Sequence, residues 1–252
     1  MSTTRFLIVP GLAIWENGDW HGLEKEKGFS EDSEVMNVMT KSIERQVQQA
    51  CESVRSGSYD VVAFSGGRTR KELADRIKNS EADGMYEFAK EKDWLGEFPA
   101  IRETFARDSH ENILYSMLAF RKAFGSWPGP VAVVGHAHKA LRFQLMSIGL
   151  KIPDFTFHGI GAVKPLDRNC VREIKNLADI VPSSSDEIED PLLRGPRFQE
   201  KRRKRTLDQF HDEDDYLRHV KNAYENDKLI DQLVSCAPTK ESWQRLDWPW
   251  NT

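Results

Sequence analysis

An α/β fold built on a mostly parallel sheet is what this sequence predicts, and three observations predict it. Five short apolar runs punctuate the first 161 residues. Stretches with helical spacing separate them, long enough for crossover connections. Each run ends in a glycine or a polar turn, the pattern of strands buried on both faces of a parallel sheet.

The elements follow in order. Arg5 to Val9 forms the first strand and ends at Pro10-Gly11. Leu12 to Trp15 lies at the sheet's C-terminal edge, and Glu16 to Ser33, rich in glycine and charge, is a long loop. From Ser33 to Val54, apolar residues at Val35, Met36, Met39, Ile43, Val47, Ala50 and Val54 give a helix with one buried face, stopped by Gly57. Tyr59 to Phe64 is the second strand, broken by Ser65-Gly66-Gly67. Ser80-Glu81-Ala82-Asp83 has the form of a capping box and opens a helix to Lys92. Ala100 to Phe105 is a third, weaker strand. Asp108 or Ser109 caps a helix that closes at Gly125. Val131 to Val134 is the clearest buried strand; Gly135-His136-Ala137-His138 ends it, and a helix from Lys139 to Ile148 follows. Asp154 to His158 alternates as a strand and ends in Gly159-Ile160-Gly161.

Beyond Gly161 the pattern weakens. Pro182 to Ser185 is a linker or cap, Arg194 to Arg205 is strongly basic, Asp208 to Asp215 is acidic, and Tyr216 to Val234 is a helix. The expected division is a core over residues 1–180 and a helical, charged C-terminal extension over 181–252 packed on it. For the run Lys201 to Arg205, self-pairing with the acidic stretch or a solvated face is expected over a nucleic-acid patch.

Composition narrows the function classes. A net charge of −4 gives no general attraction to nucleic acid or acidic lipid. No stretch approaches the roughly 18 apolar residues of a membrane span, and Phe6 to Ile14 is too short and too broken for a signal peptide. Three widely spaced cysteines, Cys51, Cys170 and Cys236, argue against a disulfide framework and for a cytoplasmic protein. Walker-type and Gly-x-Ser-x-Gly motifs are absent.

Ligands of open parallel sheets bind beyond the C-terminal ends of the strands. Those ends carry Gly11, Ser65-Gly66-Gly67, Glu103, the segment Asp108 to Asn112, His136, His138 and His158-Gly159. The two glycines after Ser65 let a backbone approach a ligand, and their N–H groups can form an anion nest. Arg142, one turn into the following helix, can return to the same rim and hold an anion. Glu81, Glu103 and Glu111 are the candidate acceptors or general bases. The histidine pair lacks the neighbours of a four-ligand zinc site, so no metal is expected.

These residues in this order resemble the family called domain of unknown function 218, the SanA-like and YdcF-like proteins, in its soluble eukaryotic form. Four blocks carry the resemblance: Phe64 to Gly67, Ser80 to Ala82, Ala106 to Asn112, and Val133 to Gly149 with Arg142. A further echo lies in Asp190-Pro191 and Lys201 to Arg205. The resemblance implies a Rossmann-like three-layer sandwich and a site built from Ser65, Gly66, Gly67, Glu81, Glu103, Ser109, Glu111, Asn112 and Arg142. It also implies S-adenosylmethionine as a possible ligand.

The leading expectation is a protein that binds a small anionic or nucleotide-like molecule, as a transferase or a hydrolase. A non-catalytic binding or scaffold protein is the alternative, and a metal-dependent hydrolase using His136 and His138 is a third.

Overall fold

A computed structural model describes residues 3–23, 33–161, 196–206, 210–225, 228, 230, 233 and 248–250. Its centre is a five-stranded parallel sheet of β1 (Phe6–Pro10), β4 (Val61–Ser65), β5 (Ala100–Glu103), β6 (Val131–His136) and β7 (Phe155–Ile160). Across the sheet the order is β5-β4-β1-β6-β7. The chain grows outward from β1 through β4 to β5, then returns to the other side of β1 with β6 and β7. Neighbouring connections therefore diverge between β1 and β6, the crevice where doubly wound sheets take their ligands.

Alternation along the strands builds a core on each face. Leu7, Val9, Val62, Phe64, Ala132 and Val134 pack under α1 (Ser33–Arg55) and α2 (Glu81–Glu91). Phe6, Ile8, Val61, Ala63, Val131 and Val133 pack under α3 (Ser109–Phe124) and α4 (Ala140–Gly149). Helix starts and stops follow local chemistry. Ser80 and Asp83 make the reciprocal capping box, Asp108 caps α3 through the amides of His110 and Glu111, and Gly125 ends that helix in the left-handed region.

Where a long loop is expected after the first strand, there is a hairpin, β2 (Ile14–Glu16) and β3 (Asp19–His21). Its turn is Asn17-Gly18, both with positive φ, the tight connection whose twist matches paired strands. Trp15 and Trp20 face each other across it and both pack on Phe88 of α2. Residues 24–32 of that expected loop lie outside the described residues.

The described part of the C-terminal extension is integral to the core. It contains α5 (Pro196–Thr206) and α6 (Glu213–Ala223). Tyr216, Val220, Tyr224, Ile230, Leu233, Trp248 and Trp250 are all buried with the α3–α4 face of the sheet. The helix expected over Tyr216 to Val234 starts earlier, at its cap Asp212, and α6 gives way at Tyr224 and Glu225, the latter with φ +77°. The boundary at residue 180, the linker Pro182 to Ser185 and the Asp190-Pro191 pair lie outside the described residues. Among those described, no helix is long and apolar enough to cross a membrane.

Trp250 ties the far end of the chain down. Its indole Nε1 donates to the Leu150 carbonyl at 2.8 Å and its ring packs on Trp127 and Trp248. Trp250→Ala is expected to cost about 3–5 kcal/mol, the usual loss for a buried aromatic. Urea unfolding measures it, and an unchanged midpoint would show that the extension contributes nothing to the core.

Candidate functional site

An open cavity of about 130 Å³ lies beyond the C-terminal ends of β1 and β6, at the crevice between them. Eight residues singled out in the sequence line it: Gly11, Glu81, Asp108, Ser109, Asn112, His136, His138 and Arg142. They arrive from the ends of β1 and β6 and the starts of α2, α3 and α4.

Ser65, Gly66, Gly67, Glu103 and Glu111 are not in its wall, and the structure shows what occupies each. The Gly66 N–H donates to the Glu103 carbonyl at 2.9 Å and the Gly67 N–H to the Ala106 carbonyl at 2.7 Å. The expected anion nest is thus spent on backbone pairing. The glycines serve different constraints: Gly66, with Gly11, the close approach of Glu81, and Gly67 that of the Phe105 and Ala106 backbone. A Cβ on Gly11 would stand 2.5 Å from the Glu81 Cβ, and one on Gly66 2.7 Å from its Oε2. Glu81 lies on these two glycines and accepts from the Thr69 hydroxyl. A valine at Gly66 or Gly67 therefore disturbs strand-end packing directly, and is no clean probe of ligand approach.

Glu103 sits below the cavity in full burial. Its carboxylate accepts from Ser65 Oγ at 2.6 Å, from the amides of Phe105 and Ala106, and from Tyr224 Oη. Ser65 Oγ also lies 2.9 Å from Asn112 Oδ1. Burial pushes the Glu103 carboxyl up to about 7, against the hydrogen bonds from Ser65, Phe105 and Ala106. Its place is to hold the β5–α3 connection against β4.

Glu111 belongs to a buried charge cluster. Arg107 donates to both of its oxygens, at 2.7 Å to Oε1 and 3.0 Å to Oε2, and also pairs with Glu213 at 2.6 Å. The Arg107 guanidinium lies 3.6 Å from the Tyr216 ring centre. Arg202 of α5 pairs with Asp108 at 2.6 Å and approaches Glu111 at 3.4 Å. Burial alone would raise both carboxyls. Arg202 beside Asp108 and Arg107 beside Glu111 outweigh it and hold both below the ordinary range.

This corrects the reading of the basic run. Arg202 is buried on the core, while Arg203 and Lys204 point outward and pair with Glu200. Lys201 and Arg205, one turn apart on α5, enter the cavity wall. With Arg70 and Lys139 they are the site residues that strand-end reasoning missed. The signal for Lys201 and Arg205 was their i, i+4 spacing, which puts them on one helical face. Nothing local identifies the core as their partner. Burial, together with Arg205, Arg142 and Lys139, pushes the Lys201 ammonium well down against the opposing Asp108.

His136 and His138 stack with ring centres 5.5 Å apart. His136 Nδ1 lies 2.9 Å from Ser42 Oγ of α1. Burial, then Lys139 and His138, pushes its pKa well below the ordinary histidine value. His158, expected on the same rim, instead meets Tyr59 Oη at 2.7 Å away from the cavity. Among the described residues, no three His, Cys, Asp or Glu side chains are gathered as a metal would require.

No family model, curated protein or solved structure matches the chain.

Glu103 gives a test by titration. Its folded pKa, about 7, stands above the ordinary 4.5, so the folded state keeps a proton that the unfolded chain has already released. The sign follows: its contribution is complete below about pH 4.5 and is lost as pH rises through about 7. Glu103→Gln cannot titrate. The stability difference between variant and wild type is expected to move in the variant's favour by about 3 kcal/mol across that window. Chemical denaturation at a series of pH values measures it; a pH-independent difference would mean that Glu103 is ionised throughout.

Proposed function

We propose that the crevice between β1 and β6 binds a small molecule through an anionic group, a phosphate or a nucleotide-like phosphoryl chain. The observation that carries this is a local reversal of charge. The whole chain has a net charge of −4, yet Arg70, Lys139, Arg142 and Arg205 converge on one cavity, with Lys201 beside them in its wall. Among the described residues, the carboxylates in its wall are Glu81 and Asp108, and Asp108 already faces Arg202. A cavity with a focused positive field raises the local concentration of anions and orients them. Arginine supplies the planar fork that matches a phosphate.

The same lining favours a phosphate over S-adenosylmethionine, whose sulfonium would add a positive charge to a cationic wall. Kinship with the domain of unknown function 218 family is part of the proposal. It draws support from Glu81, Ser109, Asn112 and Arg142, which come from three of the four sequence blocks and reach one cavity. A binding protein without catalysis is the second reading. It draws on the structural engagement of Glu103 and Glu111, which leaves Glu81 as the candidate carboxylate in the wall. A cytoplasmic setting stays within the proposal and rests on sparse cysteine use.

Inorganic phosphate, pyrophosphate, adenine nucleotides and S-adenosylmethionine, compared by calorimetry and thermal shift, test it. Phosphate-bearing ligands are expected to bind, more weakly as salt rises. Arg142→Ala is expected to cost about 1.5–3 kcal/mol of affinity, the range for a hydrogen bond to a charged group. Binding of S-adenosylmethionine alone, or affinity unchanged in a folded Arg142→Ala protein, would overturn the reading.

A further inference from the structure

The His136 imidazole has one nitrogen committed and one orphaned. Nδ1 meets Ser42 Oγ at 2.9 Å, and the Gln46 amide approaches the same hydroxyl at 3.4 Å. Nε2 is buried with no hydrogen-bond partner. A buried polar atom left unpaired costs its full desolvation, and such atoms mark places where a partner is supplied from outside the fold. The residue ends β6 at the crevice and lines the cavity. Ser42 and Gln46 on α1 fix the ring from behind, the arrangement of an oriented nucleophile or base.

We propose that His136 is a nucleophile that takes a phosphoryl group on Nε2 from a ligand bound in this cavity. The proposal rests on the anion-binding reading of the same site. In the step, Nδ1–H donates to Ser42 Oγ and the Nε2 lone pair attacks phosphorus. The bond from phosphorus to the leaving oxygen breaks, and that oxygen departs with the electron pair and takes a proton from the medium. Attack by water on the N–P bond then releases phosphate and restores the imidazole.

Electrostatics favour this role over that of a general base. Protonating His136 would place another cation beside Lys139, in a cavity that Arg142 and Arg205 already make positive. Phosphorylating it brings an anion among those cations. The lowered pKa agrees: it keeps the lone pair free while making the ring a weak base near neutral pH.

The test uses the full chain and potassium phosphoramidate, whose P–N bond breaks with ammonia as leaving group. Acid-labile, base-stable phosphate is mapped by peptide mass spectrometry, with inorganic phosphate binding measured in parallel. The expected result is close to one phosphate per chain on the peptide holding His136. It should be lost in His136→Asn, whose amide keeps a donor near Ser42, and retained in His158→Gln, a histidine outside the cavity wall. Label on another of the seven histidines, or none in a wild-type protein that binds phosphate, overturns the proposal and leaves the anion site standing. Absence of phosphate binding overturns both. His136 and His138 share one peptide, so fragment ions that place the phosphate on one ring or the other decide in the wild type, and a variant that fails to fold does not block the test.

Discussion

The structure depends on a buried charge cluster at the start of α3. The Arg107 and Arg202 guanidiniums and the Asp108 and Glu111 carboxylates are all nearly excluded from solvent. Taking such charges out of water costs several kcal/mol per ion unless all are matched in good geometry. They are matched only as a set. Asp108 caps the first turn of α3 with one oxygen and meets Arg202 with the other. Arg107 grips Glu111 and reaches Glu213 and Thr206 of the extension. The α3 start, α5 and α6 thus have one shared solution, and that solution puts Lys201 and Arg205 at the mouth of the crevice.

Legibility in the sequence follows the range of the forces involved. Strands buried on both faces and capped helices are written in contiguous residues, so the parallel sheet, the Ser80 capping box and the Asp108 cap could be read directly. The hairpin was also written locally, in Asn17-Gly18 between Trp15 and Trp20, but charge around it masked the signal. The site was legible where a side chain follows a strand end, as for Glu81, Asn112, His136 and Arg142. It was not legible where the partner is distant. Arg202 meets Asp108 across more than ninety residues of chain, and nothing in Lys201 to Arg205 announces that one face of the helix is buried.

The Ser65-Gly66-Gly67 turn shows the same limit from the other side. Two glycines at a strand end suit either an anion nest or tight packing, and composition cannot choose between them. The choice is made by Glu103 and Ala106, whose carbonyls take both amides, and by Glu81, which needs the space. Gly66 makes room for a carboxylate and Gly67 for the neighbouring backbone.

With the strand-end amides spent, the anion recognition proposed above falls to side chains. Lys139 comes from the β6–α4 connection, Arg142 from the first turn of α4, and Lys201 and Arg205 from α5. A nest of amides would be complete once the sheet forms. A clamp of side chains is complete only when the extension has docked through Arg202 and the buried residues of α6. On the proposed reading, ligand occupancy and docking of the extension are linked equilibria, since a molecule that binds only the docked form stabilises it by mass action. The buried charge cluster is then more than a fastening. By fixing α5 on the core it sets the population of the form in which the cationic cavity is whole.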